Sequence, residues 1–215
     1  PNALLKMDYT YSGYDYTIES SEFTVITDTI THMLSNDWEI VHPYFGNQII
    51  SSLIENSTDS PYSAYSFNEE NSAYEIINFS DIVTESATSF WLKVENPDSL
   101  NETPLNFYGS SPEINGTLTK TIRNFPSWSL SGSSIRPVAK DSLLVQVFEN
   151  SSFSDLTWAE AVEGSFLLDH LYGVVGDEYS DISTTQVFNG FWIGAENQDQ
   201  SIDSIKIYFP IHKMV

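Results

Sequence analysis

Carboxylates are the most abundant reactive side chains in this sequence, and two groups of them are close enough in the chain to share a cation. Asp177, Glu178 and Asp181 form one group, and Glu196, Asp199 and Asp203 form the other. Both supply hard oxygen donors of the kind calcium prefers, but neither follows the twelve-residue loop with its central glycine. Solvated turns are the expected reading, with Glu196, Asp199 and Asp203 kept as weak calcium candidates and no cofactor expected. With 30 carboxylates in the chain, no particular pair can be singled out for glycoside hydrolysis, since many will approach one another by chance.

The remaining nucleophiles and bases are sparse. The four histidines, His32, His42, His170 and His212, are scattered singly. A lone histidine is more often a packing residue than a ligand. Without cysteine there is no thiol nucleophile, zinc-thiolate site or disulfide scaffold. The phosphate-binding loop, the His-Glu-x-x-His zinc pair, the Gly-x-Ser-x-Gly elbow and the Gly-x-Gly-x-x-Gly fingerprint are all absent. The expectation is a protein that is not an enzyme.

Charge and aromatic content point to binding or assembly instead. Eight basic residues against 30 acidic ones leave a net charge of −22, which repels phosphate backbones and argues against sequence-specific nucleic-acid recognition. The basic residues are unevenly placed. Between Ile114 and Lys140 there is no Asp or Glu, yet Lys120, Arg123, Arg136 and Lys140 fall there, including both arginines of the chain. Such a stretch could meet the acidic face of a neighbouring copy, where complementary charge selects and orients partners. Trp128, flanked by Ser127 and Ser129 and close to Pro126, could anchor the same contact. Lys120, Arg123, Trp128, Arg136 and Lys140 are therefore the candidate subunit-interface residues. Trp91, Trp128, Trp158 and Trp192, with twelve tyrosines, could stack on sugar rings, but Trp91 and Trp192 lie in strand-like patterns where large aromatics fill cores.

The elements that must hold these residues are mostly strands. The chain has 215 residues, 40% hydrophobic and 14% aromatic, enough to bury a core in one domain or two small ones. Residues 4–18 alternate aromatic and polar as a strand or hairpin does. Phe23, Ile26, Ile30, Met33 and Leu34 recur at helical spacing and predict a helix near 21–36, and Leu156, Ala159, Val162 and Phe166 predict another near 154–168 with Ser154 or Asp155 as N-cap. Strands are expected at Trp38 to Val41, Ser89 to Glu95, Leu105 to Tyr108, Ser142 to Glu149, Gln186 to Gly194 and Ser204 to Ile211; residues 62–80 take no assignment. The longest apolar stretches, Leu143 to Phe148 and Phe166 to Val175, fall far short of the ~20 residues a spanning helix needs, so no membrane insertion is expected. The first residues lack a basic region followed by an apolar core, and no signal peptide is expected in this numbering. Five Asn-x-Ser/Thr triplets, at Asn56, Asn78, Asn101, Asn115 and Asn150, are close to the chance number for so Ser/Thr-rich a chain.

An internal repeat organises these elements. Residues 90–108 align without gaps on 191–209, matching Phe90-Trp91 with Phe191-Trp192, Glu95-Asn96 with Glu196-Asn197, and Asp98 with Asp199. Upstream, Ser80-Asp81-Ile82-x-Thr84 matches Ser180-Asp181-Ile182-x-Thr184. The expected fold is α+β and β-rich: two related strand–helix–hairpin halves, from an internal duplication, forming packed or continuous antiparallel sheets. The first half spans 1–109, a Ser/Pro/Gly-rich linker or arm spans 110–141, and the second half spans 142–215. The functional expectation is a self-assembling structural subunit of a virion, such as a phage tail, neck or connector protein. Its partners would be copies of itself in a ring or tube and neighbouring structural proteins, and an acidic wall would let DNA pass without holding it. The alternative is a glycan- or peptide-binding module at the cell surface or outside the cell.

Overall fold

The computed structural model describes residues 2–3, 6–11, 14–19, 23–24, 29–35, 37–42, 48–49, 62–78, 82–83, 88–94, 103–108, 117–132, 137–175, 178–196 and 202–210. The strands up to residue 108 are β1 (Asn2–Ala3), β2 (Lys6–Tyr11), β3 (Tyr14–Glu19), β4 (Phe23–Thr24), β5 (Thr29–Leu34), β6 (Glu39–Val41), β7 (Gln48–Ile49), β8 (Tyr62–Asn68), β9 (Ala73–Ile76), β10 (Ile82–Val83), β11 (Phe90–Val94) and β12 (Thr103–Tyr108). After them come β13 (Thr117–Ile122), β14 (Ser127–Gly132), β15 (Leu144–Glu149), β16 (Ser152–Thr157), helix α1 (Trp158–Glu163), β17 (Leu167–Val175), β18 (Glu178–Ile182), β19 (Gly190–Ala195) and β20 (Ile202–Pro210).

Three antiparallel four-stranded sheets carry the architecture, in the orders β13-β20-β15-β16, β14-β19-β17-β18 and β6-β11-β8-β9. Two-stranded pairs β1-β4, β2-β3, β5-β12 and β7-β10 accompany them. Side chains alternate across each strand, so every sheet offers two faces. One face of the β14-β19-β17-β18 sheet packs on the β13-β20-β15-β16 sheet through Phe191, Ile193 and Leu171 against Val145, Val147, Ile205 and Ile207. Its other face packs on the β6-β11-β8-β9 sheet, where Leu130 and Trp192 meet Ile40, with Phe67, Trp91, Tyr172 and Val174 alongside. The far face of that third sheet buries Val41, Ala64, Phe90 and Leu92 against Leu34 of β5 and Leu105 of β12. Strand β19, Gly-Phe-Trp-Ile-Gly-Ala, is buried at all six positions because it has a layer on each side.

The contact between the second and third sheets is close enough to require glycine. A Cβ on Gly190 would lie 2.3 Å from Ile40 Cγ2 and 2.5 Å from Ser89 Cβ, and one on Gly132 would lie 2.3 Å from His42 Cγ. Two backbone bridges cross there, Val41 with Asn189 and Thr88 with Ser131. The Ser89 hydroxyl donates to the Ser131 carbonyl at 2.7 Å, and the His42 amide to the Phe188 carbonyl at 2.6 Å.

Strand content exceeds the α+β expectation: among the described residues the only helices are α1 and a 3-10 turn at Lys140–Ser142. The helix predicted near 21–36 is replaced, where described, by β4 and β5. Leu34 is buried and Met33 is 45% exposed, an alternation of period two. The β-branched run Thr29-Ile30-Thr31 favours the extended chain, and helical spacing of the apolar residues was coincidental. The helix predicted near 154–168 shrinks to Trp158–Glu163. Thr157, not Ser154 or Asp155, caps it, in a reciprocal capping box with Glu160, and residues on either side are strands. Within the stretch expected as a linker or arm, 117–122 and 127–132 are strands of two different sheets. Their Ser and Thr residues hid the strands: in β13 Lys120 and Ile122 are buried in alternation, and in β14 Ser129, Leu130, Ser131 and Gly132 are buried in succession between two layers. The expected strands at residues 6–11, 14–18, 39–41, 90–94, 105–108, 144–149, 190–194 and 204–210 are present.

Candidate functional site

The candidate interface residues do not form one cluster. Lys120 projects from β13 and is nearly buried, its ammonium 2.9 Å from Glu69 in the β8–β9 turn. The Ser129 hydroxyl donates to the same carboxylate at 2.5 Å. Lys140 holds the Asp169 carboxylate at 2.8 Å and also donates to the Asp169 carbonyl. That ammonium keeps the Asp169 carboxyl below the usual range, by hydrogen bond first and by charge second. Both lysines thus engage acids of their own chain. Arg123 is exposed in the turn between β13 and β14, and Arg136 lies outside the described residues. Trp128 sits on β14, 40% exposed, with its ring against Tyr172 at 5.7 Å.

The calcium candidates are also apart from any assembled site. Glu196 is half-buried, Asp203 is exposed, and Asp199 lies outside the described residues, as does Asp177. Asp181 pairs with His170 at 2.7 Å. Among the described residues no group of three or more His, Asp or Glu side chains is placed to hold a metal ion. Nor is any helix among them long and apolar enough to cross a membrane.

Two histidines have structural partners at the sheet contact. His32 lies on β5, its ring stacked on Phe188 at 5.3 Å and its Nε2 3.2 Å from Glu39. Burial raises the Glu39 carboxyl, but hydrogen bonds from His32 and Ser35 outweigh it and the net shift is downward. His42 is buried with Nδ1 3.1 Å from the Thr88 carbonyl; a carbonyl only accepts, so Nδ1 carries the proton. Burial pulls the His42 pKa down to about 4, against the smaller opposing effect of that hydrogen bond. His212 lies outside the described residues, and His170 is on β17.

The feature with binding geometry is a pair of aromatic clefts beside the contact between the second and third sheets. The first, about 350 Å³, is lined by Trp38, Tyr65, Tyr74 and Trp91. The second, about 370 Å³, is lined by Phe67, Tyr74, Trp128, Tyr172, Tyr179 and Trp192. Strand register explains why both are aromatic. Trp91 stands opposite Ile40 on one side and Tyr65 on the other, and Trp192 stands opposite Leu130 and Tyr172. On the outer hairpins Phe67 faces Tyr74, and Val174 faces Tyr179.

Ring geometry repeats as well. Trp38 meets Tyr65 at 5.5 Å and 52°, and Trp128 meets Tyr172 at 5.7 Å and 63°. Across the sheets, Trp91 meets Tyr179 at 6.3 Å and 84°, while Trp192 meets Tyr74 at 6.4 Å and 81°. All but the tilted Trp38–Tyr65 pair are edge-to-face contacts, an arrangement aromatic quadrupoles favour. The Tyr74 hydroxyl is pushed up in pKa by burial and then by the neighbouring Tyr179 hydroxyl, to which it hydrogen-bonds.

Trp91, Trp128 and Trp192 stand out in the sequence, whereas the tyrosines beside them do not. Tyr65 and Tyr74 lie in the block left without an assignment, although Ser63, Tyr65 and Phe67 there share one face of β8. No protein-family model matches the chain, and no curated protein or solved structure matches it.

Proposed function

We propose that the chain is a non-enzymatic, self-assembling structural subunit of a virion, built from two copies of one jelly-roll unit. The observation that carries this reading is the matching strand order and register of the two halves. In the second half successive strands are dealt between the sheets β13-β20-β15-β16 and β14-β19-β17-β18, the order of a jelly roll except that β16 occupies one outer place. In the first half β5-β12 stands where β13-β20 does, and β6-β11-β8-β9 follows the order of β14-β19-β17-β18. The sequence repeat sets Trp91 on Trp192, and the register of both agrees with it.

Jelly rolls build capsids and also lectins, so the fold alone does not choose. Charge favours the virion reading, because a body at −22 can line a space that DNA must traverse. Two like units in one chain also let three chains form a pseudo-sixfold ring. The reading is tested by native mass spectrometry and sedimentation of the full chain at low and at high salt. A closed oligomer, strengthened as salt screens the repulsion, is the expected result. A strict monomer under both conditions overturns it. The second reading, a surface or secreted glycan- or peptide-binding module, draws on the clefts and on the exposure of Trp38 and Trp128 at 37% and 40%; a monomer that binds such a ligand would favour it.

A further inference from the structure

We propose that the second cleft, between Trp128 and Trp192, is an aromatic cage for a quaternary ammonium ion, and that the first cleft is not. This does not rest on the assembly reading, since a cage can operate in a monomer or in a ring.

The walls set the chemistry. Six aromatic rings line the second cleft, and the ring faces of Trp, Tyr and Phe attract cations through their quadrupoles. Its volume of about 370 Å³ falls within the range of small-molecule sites. No lysine or arginine lines it. At its rim, His170 packs on Tyr172 at 5.8 Å, and the Asp181 carboxylate holds that imidazole at 2.7 Å. The surrounding protein is strongly acidic. An organic cation thus finds π faces, a nearby carboxylate and a favourable long-range field.

Comparison with the first cleft sharpens the assignment. Both are built on the same Trp–Tyr frame, but their rims differ where register makes them comparable. Two residues beyond Trp192 stands Gly194, while two residues beyond Trp91 stands Lys93. Opposite Tyr172 is Asp181, while opposite Tyr65 is Ile76. On the cleft face the second cleft therefore has a carboxylate where the first has an aliphatic side chain, and a glycine packed under Leu168 where the first has a lysine on the same strand face as Trp91. A lysine on the Trp91 face of β11 opposes the approach of a cation to the first cleft.

The test is a titration of the full chain with choline and with its neutral isostere 3,3-dimethylbutan-1-ol, read by tryptophan fluorescence and by NMR of the indole N–H groups. Choline should saturate and shift Trp128 and Trp192 signals before those of Trp38 and Trp91, with affinity on the order of tenfold above the isostere. Trp128→Ala, at an exposed position, should abolish the response while leaving the fold intact by circular dichroism. Gly194→Lys should also abolish it. Because a side chain at 194 presses on Leu168, a variant that fails to fold is replaced as evidence by Lys93→Gly, which should create choline binding in the first cleft. Flotation with phosphatidylcholine vesicles separates the sources of the cation. Flotation lost in Trp128→Ala places it on a lipid headgroup, and free choline binding without flotation places it on a small molecule; both support the cage. Equal binding of choline and the isostere, response centred on Trp38 and Trp91, or no saturable response overturns the proposal.

Discussion

Strands β11 and β19 occupy the same place in sheets of the same order, and both carry a Phe-Trp pair, yet they live in different surroundings. In β19 all six residues are buried, because a sheet covers each face. In β11 the residues facing β5 and β12 are buried, while Trp91 on the opposite face is only half-buried and lines an open cleft. The lesson is that one local pattern carries two energetic roles. Phe90 and Phe191 are fully buried alike, but Trp192 is only 7% exposed while its counterpart Trp91 is half-buried.

The largest expected difference follows from that contrast. Trp192→Ala should destabilise by about 3–5 kcal/mol in chemical denaturation, since it empties a position enclosed by two sheets. Trp91→Ala should cost about 1–2 kcal/mol, in keeping with partial burial. Equal losses would erase the distinction drawn between the strands.

Next in size is a pH effect at the contact between the sheets. His42 has a folded pKa of about 4 against an ordinary value of 6.5, so between those values the unfolded chain binds more protons. Stability should therefore be unaffected by this group above pH 6.5 and fall as pH drops toward 4, by an amount on the order of 3 kcal/mol. An NMR titration showing a neutral His42 imidazole down to about pH 4 would support it; protonation near 6.5 would mean the contact opens. The residue matched to His42 by register is Gly132, whose missing side chain makes room for that imidazole.

Overpacking the same contact should come third. Gly190→Ala and Gly132→Ala each place a methyl group within 2.3 Å of a side-chain carbon of the other sheet, and each should cost about 1–3 kcal/mol. Shrinking the opposing side chain, as in Gly132→Ala combined with His42→Ser, should recover part of that loss. Absence of any recovery would place the strain elsewhere.

The smallest effect concerns the lysines. Lys140→Ala should change stability by about 0–1 kcal/mol, because Asp169 remains largely in solvent after the pair is broken. Lys120→Ala should cost more, about 1–3 kcal/mol, because Glu69 is 17% exposed and loses its charged partner. Similar values for both would remove the difference in burial as the cause.

Much of the strand pattern was legible in the residues themselves. Alternation along 6–18, 90–94 and 190–195 needs only the period of an extended chain, and the constant offset between the two Phe-Trp pairs needs only the sequence. The errors have physical causes. At 29–34 apolar residues happened to fall at helical spacing, and β-branched propensity together with burial of Leu34 against the third sheet decided for a strand. At 117–132 Ser and Thr in buried positions resembled a loop, because their hydroxyls need hydrogen-bond partners that only the folded neighbours supply, as when Ser129 donates to the Glu69 carboxylate, sixty residues away. Composition alone determined the acidic field, the lack of thiol chemistry and the wealth of aromatic rings. Only tertiary structure decided which rings gather into a cleft, because Phe67, Trp128, Tyr172 and Trp192 come from segments far apart in the chain, and their meeting depends on sheet order and on which faces another layer leaves uncovered.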